Sequence, residues 1–307
     1  MKRHAIAAIL ALLLVATPAR AALNVFACEP EWGALAAELG GPDASVFTAT
    51  TARQDPHQIE ARPTLIARLR NAGLVICTGA ELEVGWMPAL LRQAANGRVQ
   101  PGADGWFPAA EQVRRLDVPA QIDRSMGDVH PSGNPHVQGD PRNLRTIAVA
   151  LAARLALLDP AHAVSYAQRR DAFLQSWDAA IRRWEERAAP LKGVKVVVHH
   201  RDWTSYLLPW LGMEEVATIE PKPGIPPGSA HLAQLLDDIP RKGARMILYA
   251  AYQNPQAAQF LAGKTGLPAV MLPFTVGGTE TATTLTGLFD DTIARLLDAM
   301  EKSRARP

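Results

Sequence analysis

Beyond an apolar N-terminal stretch, the chain alternates short apolar runs with longer amphipathic ones. Residues 23–28 (LNVFAC) read as a first strand, 44–48 as a second and 74–78 as a third. Between and after them, residues 32–39, 63–71 and 86–95 read as helices; Leu65, Ile66 and Leu69 fall at helical spacing. Such alternation predicts βαβ units with right-handed crossovers and a mostly parallel sheet. The pattern resumes after Gly193. Strands are expected at 194–199, 216–220, 246–250 and 269–272, and helices at 206–211, 231–239, 255–265 and 284–300. No repeat of fixed period appears, which excludes a solenoid.

Residues 159–189 differ. They contain one early proline and then no internal Gly or Pro until the end, and Phe173, Trp177, Ile181 and Trp184 recur every three or four positions. At 1.5 Å per residue such a helix reaches about 45 Å, longer than a small lobe. The expectation is an α/β fold of two similar parallel-sheet lobes joined by a long rigid helix. The lobes are placed at residues 22–158 and 191–307, with the linking helix at 159–190. The alternative is an ordinary surface helix of one larger domain.

The N-terminus sets the expected compartment. Lys2 and Arg3 precede an apolar core, residues 5–16, and Ala19-Arg20-Ala21 forms an A-x-A cleavage site. This predicts a secretory signal over residues 1–21 and a periplasmic location; the apolar core is too short for a spanning helix. Cleavage removes three of 32 basic residues and none of the 30 acids, so the mature net charge is −1. That balance argues against nucleic acid or an anionic membrane as partner. The two cysteines, Cys28 and Cys77, each end a strand-like run. Either they pair in an oxidising compartment or they are buried free thiols. Neither belongs to a C-x-x-C motif.

Histidine placement carries the chemistry. His57 follows Asp55-Pro56, His136 follows Asn134-Pro135, and one strand ends in His199-His200. Neutral imidazole is a preferred nitrogen ligand for zinc, and the C-terminal ends of strands in open α/β sheets are where ligands bind. Successive strand residues face opposite sides, so His199 and His200 are not both expected on one ion. Glu60, three residues after His57, either orients an imidazole or is an exposed helix-start acid.

These features together resemble the metal-specific solute-binding proteins of bacterial ABC importers, particularly the periplasmic zinc-uptake group. The resemblance covers nearly the whole mature chain. It rests on Asp55-Pro56-His57, residues 79–86 (GAELEVGW), Asn134-Pro135-His136 with Asp140-Pro141, the long helix, and the strand ending in histidine. It implies two lobes joined by the long helix and opening only slightly. A metal would sit in the cleft between the lobes, as cargo for an ABC permease. Position by position, it implies His57, His136 and His200 as zinc ligands. His200 is preferred to His199 because Trp203 follows it by three residues. Val276 occupies the place of the family's usual acid, so Glu280 or water is expected to complete the shell. Three histidines suit zinc better than manganese, which favours oxygen.

Asp128 and His130 stand where many zinc binders carry a long His- and acid-rich loop; here an ordinary solvated turn is expected, the alternative being a loop that gathers metal weakly. His162 and His231 are read as surface or capping residues. Glu81 and Glu83 either line the cleft or one of them faces solvent; Trp32, Trp86 and Trp203 either wall the site or, by default, pack the core. The proline-rich stretch 220–228 is either a surface for the permease or a plain connector. An exported zinc hydrolase is the competing class, but no H-E-x-x-H pairing is present.

Overall fold

A computed structural model describes residues 21–121, 123 and 126–304. The expected signal lies outside the described residues except for Ala21. Among the described residues, no helix is long and apolar enough to cross a membrane.

The chain forms two four-stranded sheets. The first contains β1 (Leu23–Ala27), β2 (Ala44–Thr48), β3 (Leu74–Cys77) and β4 (Trp106–Pro108); the second contains β5 (Lys195–Val198), β6 (Glu214–Thr218), β7 (Met246–Ala250) and β8 (Ala269–Leu272). Their orders are β2-β1-β3-β4 and β6-β5-β7-β8, and every pairing is parallel. The two halves therefore share one topology. Helices α1 (Pro30–Gly40), α2 (Pro63–Arg70) and α3 (Met87–Ala94) follow strands of the first sheet. α6 (Leu207–Leu211), α7 (Ser229–Lys242), α8 (Gln256–Thr265) and α9 (Leu285–Arg304) serve the second.

Both faces of each sheet are covered, as parallel sheets require. Alternation along β1 shows this. Val25 and Ala27 enter a core cluster shared by both halves, whereas Phe26 and Cys28 join a separate cluster with residues of α2 and α3. In β5, Val196 and Val198 face the shared core and Val197 faces the α7/α8 side.

Two elements were not expected from the sequence. One is β4, three residues long. The other is α4 (Pro141–Leu158), whose start is plainly signalled: Asp140 caps it by accepting from the Arg142 N–H at 2.9 Å, and Pro141 occupies the first turn. Its buried Leu144, Ile147, Leu151 and Leu155 recur at helical spacing.

The expected long helix is α5 (Ala163–Ala188); Asp159-Pro160 breaks it from α4 through a short 3₁₀ turn. Its 26 residues correspond to about 39 Å. Phe173, Trp177, Ile181 and Trp184 are buried, as their spacing predicted. Near its start, Arg169 donates to the Leu39 carbonyl and pairs with Asp43. Farther along, the Trp177 ring N–H donates to the Pro141 carbonyl, and that of Trp184 to Asp290 on α9. One helix thus touches α1, α4 and α9.

Cys28 and Cys77 form a disulfide between neighbouring strands β1 and β3, with Cα atoms 4.8 Å apart.

Candidate metal centre

The loop after β2 carries His57. Asp55 shapes it twice: its Oδ1 accepts from the His57 backbone N–H at 3.0 Å and from the ring Nδ1 at 2.7 Å. Trp86 donates its ring N–H to the Pro56 carbonyl and pins the loop from below. With Nδ1 engaged, Nε2 is the nitrogen His57 presents. Burial works to raise the Asp55 carboxyl, but the hydrogen bonds and charge of His57 outweigh it and hold it below its usual value.

His136 is fully buried, and neither ring nitrogen has a hydrogen-bond partner. Unpaired buried polar atoms are costly, and a bound ion would satisfy one of these. The backbone around it is firmly held. Asn134 Oδ1 accepts from the His136 N–H, its side-chain amide reaches Asp117 and the Asp202 carbonyl, and Tyr206 donates to the Asn134 carbonyl. Burial, then the neighbouring imidazoles, push the His136 ring well below its ordinary pKa, so it is neutral.

His200 follows β5. Its Nδ1 lies 2.7 Å from Glu220 Oε2, just beyond β6, and its Nε2 is buried and unpartnered. Burial alone would depress this ring; Glu220, with Asp202 and Asp55, reverses that and raises it. The ring centres of His57, His136 and His200 lie 5.7 to 6.3 Å apart. Phe274, with a left-handed φ of 66°, stacks edge-on to His136 and walls the site with Trp203 and Tyr252.

His130 overturns its reading as a solvated turn. It is 7% exposed, and its Nε2 stands 3.3 Å from His57 Nε2. The ligating atoms of His57, His130 and His136 all fall within 4.8 Å of one another. Burial, then His57 and His200, push the His130 pKa down to about 4. His199 is not in that group, although it lines one cavity with His57 and His200. Its Nε2 is 3.8 Å from Glu220 Oε1, and it shares with His200, Asp55, Asp128 and Glu220 the lining of a cavity of about 220 Å³. That mouth is rich in carboxylates and favours a cation.

Two expected carboxylates stand apart. Glu60 is exposed, and the acid on His57 is Asp55 instead. Glu280 is exposed and belongs to no metal-ligating group among the described residues. Asp55 was legible, since an Asp two residues before a His can accept from its backbone in a tight turn. Glu220 had no local signal; only the pairing of β5 with β6 brings it beside a residue 20 positions earlier. His162 pairs with Asp159 and Asp43, and His231 contacts the Thr218 carbonyl, both away from the cluster.

A second buried polar cluster lies beside the disulfide. Glu29 and Glu83 both accept from Thr78, and Glu83 also accepts from the Gly79 N–H. Glu31 accepts from the Thr275 hydroxyl. Cys28, Cys77 and Glu83 come within metal-ligating distance, but the disulfide occupies both sulfurs.

The family model described as zinc-uptake complex component A, periplasmic, matches residues 25–300. The high-affinity zinc uptake system protein ZnuA of Brucella abortus (strain 2308) is 30% identical over 121 residues, 39% of this chain and 35% of that protein. The metal ABC transporter substrate-binding lipoprotein ScbA of Streptococcus cristatus is 22% identical over 176 residues, 57% of this chain and 54% of that protein. The alignments thus span about a third to a half of these curated relatives. In structure, a crystal structure of ZnuA superposes with a TM-score of 0.73 at 20% identity, covering 92% of this chain and 99% of that one. A manganese-bound periplasmic metal-binding protein from Candidatus Liberibacter asiaticus gives 0.72 at 16% identity, covering 90% and 98%. The two sheets and their flanking helices are those of the bilobal periplasmic binding-protein fold.

Proposed function

The chain belongs to the periplasmic zinc-uptake complex component A family, and from that premise we propose that it captures zinc outside the cytoplasm and delivers it to an ABC permease. The ion would be held by His57, His136 and His200, in the cleft between lobes at residues 22–158 and 191–307, with α5 as the rigid rod between them. The observation that supports this reading is the set of buried nitrogens without partners, both of His136 and Nε2 of His200, on rings whose centres lie 5.7 to 6.3 Å from one another and from that of His57. His136, held neutral by burial, can bind without first losing a proton, and each paired carboxylate, Asp55 or Glu220, fixes which nitrogen His57 or His200 turns to the ion. The nitrogen-rich donor set favours zinc over manganese. The carboxylates nearest the imidazoles, Asp55 and Glu220, are engaged with the ring nitrogens of His57 and His200, a supporting role that suits ion capture.

The test is titration of the metal-stripped mature protein. Zinc at a hundredfold excess over its dissociation constant should stabilise the fold by about 2.7 kcal/mol. An unchanged melting temperature, or equal protection by manganese, would sink the reading.

A further inference from the structure

Three histidines leave a tetrahedral ion one ligand short. Four-coordinate zinc with Zn–N near 2.0 Å has its ligand nitrogens roughly 3.3 Å apart. His57 Nε2 and His130 Nε2 already stand 3.3 Å apart. Among the described residues, the other ring within ligating range of both is His136. No carboxylate of the described residues joins that group, and Glu280 is exposed.

We propose that His130 is the fourth zinc ligand, and that the segment carrying it is a strap whose anchorage sets the preference for zinc over manganese. This rests on the zinc-capture reading above and deepens it. The strap, residues 127–133, is pinned at both ends. At one end the Asp128 N–H donates to the Pro223 carbonyl at 3.0 Å. Gly127 there has φ +85°, and a Cβ would lie 2.2 Å from the Pro223 oxygen. At the other end Glu81 accepts from the Ser132 N–H at 3.1 Å and from its hydroxyl at 2.7 Å, while Arg115 donates to the Ser132 carbonyl. Gly133, at φ +97°, passes too close to the Leu116 oxygen for any side chain.

The anchor itself is backbone-strained. Ala80 and Glu81 hold left-handed φ values of 49° and 63°, a costly geometry for residues other than glycine. That geometry aims the Glu81 carboxylate at the strap. The far anchor, the 220–228 loop, begins with Glu220, which orients His200. The strap therefore ties His130 to the loop whose first residue holds His200. Glu81 is thereby a positioning residue: it touches Ser132, not the ion.

The experiment measures zinc and manganese affinities by chelator competition, together with the visible spectrum of the cobalt(II)-substituted protein. His130→Ala should lower zinc affinity roughly 10–100-fold, in the range of a lost supporting contact or a ligand replaced by water. Manganese affinity should fall far less, and the intense four-coordinate cobalt bands should weaken. His130→Asp should narrow the zinc-to-manganese ratio further. Glu81→Gln should shift the cobalt bands and the metal ratio with an unchanged metal-free melting temperature, which a merely structural role would not do. If His130→Ala folds poorly, His130→Asn keeps polarity and most of the volume and serves the same reading. Wild-type affinity and cobalt spectrum in the His130 variants, with both lost in His57→Ala, overturn the fourth ligand and leave zinc capture standing. A silent His57→Ala overturns zinc capture itself. Loss in Glu280→Gln instead of the His130 variants also overturns the proposal, by assigning the fourth position to that loop.

Discussion

Two polar clusters are buried in this molecule, and burial drives them in opposite directions. The imidazoles of His130 and His136 are pushed to give up protons, to about 4 for His130. The carboxyls of Glu29, Glu31 and Glu83 are pushed to keep theirs, Glu31 and Glu83 to about 7. The physical cause is the same, since a low-dielectric interior penalises whichever form carries charge. Its consequences differ. A neutral imidazole presents a lone pair, and here several are left without partners. A neutral carboxyl presents a proton and a weaker donor, and apart from one oxygen of Glu29 these acids are engaged with Thr78, Gly79 and Thr275. The first cluster is poised for an ion; the second is internal bonding beside a disulfide.

That contrast is open to attack, and the largest expected effect lies on the acid side. Replacing both cysteines by serine should cost about 4 kcal/mol of stability, by the loop-closure relation for a 49-residue separation. Zinc affinity should change by no more than a few-fold. A large loss of affinity would show that the two clusters are one coupled unit. Next comes His136→Ala, which should weaken zinc binding more than 100-fold, beyond the range for groups that merely support a ligand. Chelator competition reads this directly, and a tenfold loss or less would remove His136 from contact with the ion. Glu220→Gln should fall between, at roughly 10–100-fold, because the amide no longer fixes His200 as a carboxylate does. If it proves silent, the ring of His200 is held by its packing alone.

How far each cluster was legible follows from where its residues sit. The strands and helices of both halves were readable because their apolar positions are local and periodic, and Trp177 and Trp184 fell on the buried face their spacing indicated. Helix α4 is equally periodic, and Asp140-Pro141 marks its start, yet it lay outside the expected elements. His57, His136 and His200 were marked by flanking prolines or a strand end. His130, flanked by Pro131, carried the same kind of mark, but a turn buried by contacts to Glu81 and Pro223 looks like any polar turn in sequence. Glu220 and the acid cluster lay beyond sequence reading altogether. Glu29 meets Glu83 across strand pairing, and Glu31 meets Thr275 from the other end of the chain.

The smallest effect tests the comparison most finely. Burial first, then the charges of Glu83 and Glu31, hold the Glu29 carboxyl well above its ordinary value, and one of its oxygens has no partner. A carboxyl whose pKa is raised on folding favours the fold while it is protonated in both states. That contribution is fully present below the unfolded value near 4.5 and is lost as pH rises through the raised folded value. Glu29→Gln fixes the neutral form. At pH 5 the variant and the parent should unfold at nearly the same urea concentration. At pH 8 the variant should be the more stable of the two, unfolding at the higher urea concentration. His130 and His136 run the other way, since their folded values lie below 6.5 and their contribution is lost as pH falls. Comparing variant with parent at each pH cancels that opposing slope. A Glu29→Gln variant no more stable than its parent at pH 8 would show that Glu29 keeps no proton, and the two clusters would then differ in geometry alone.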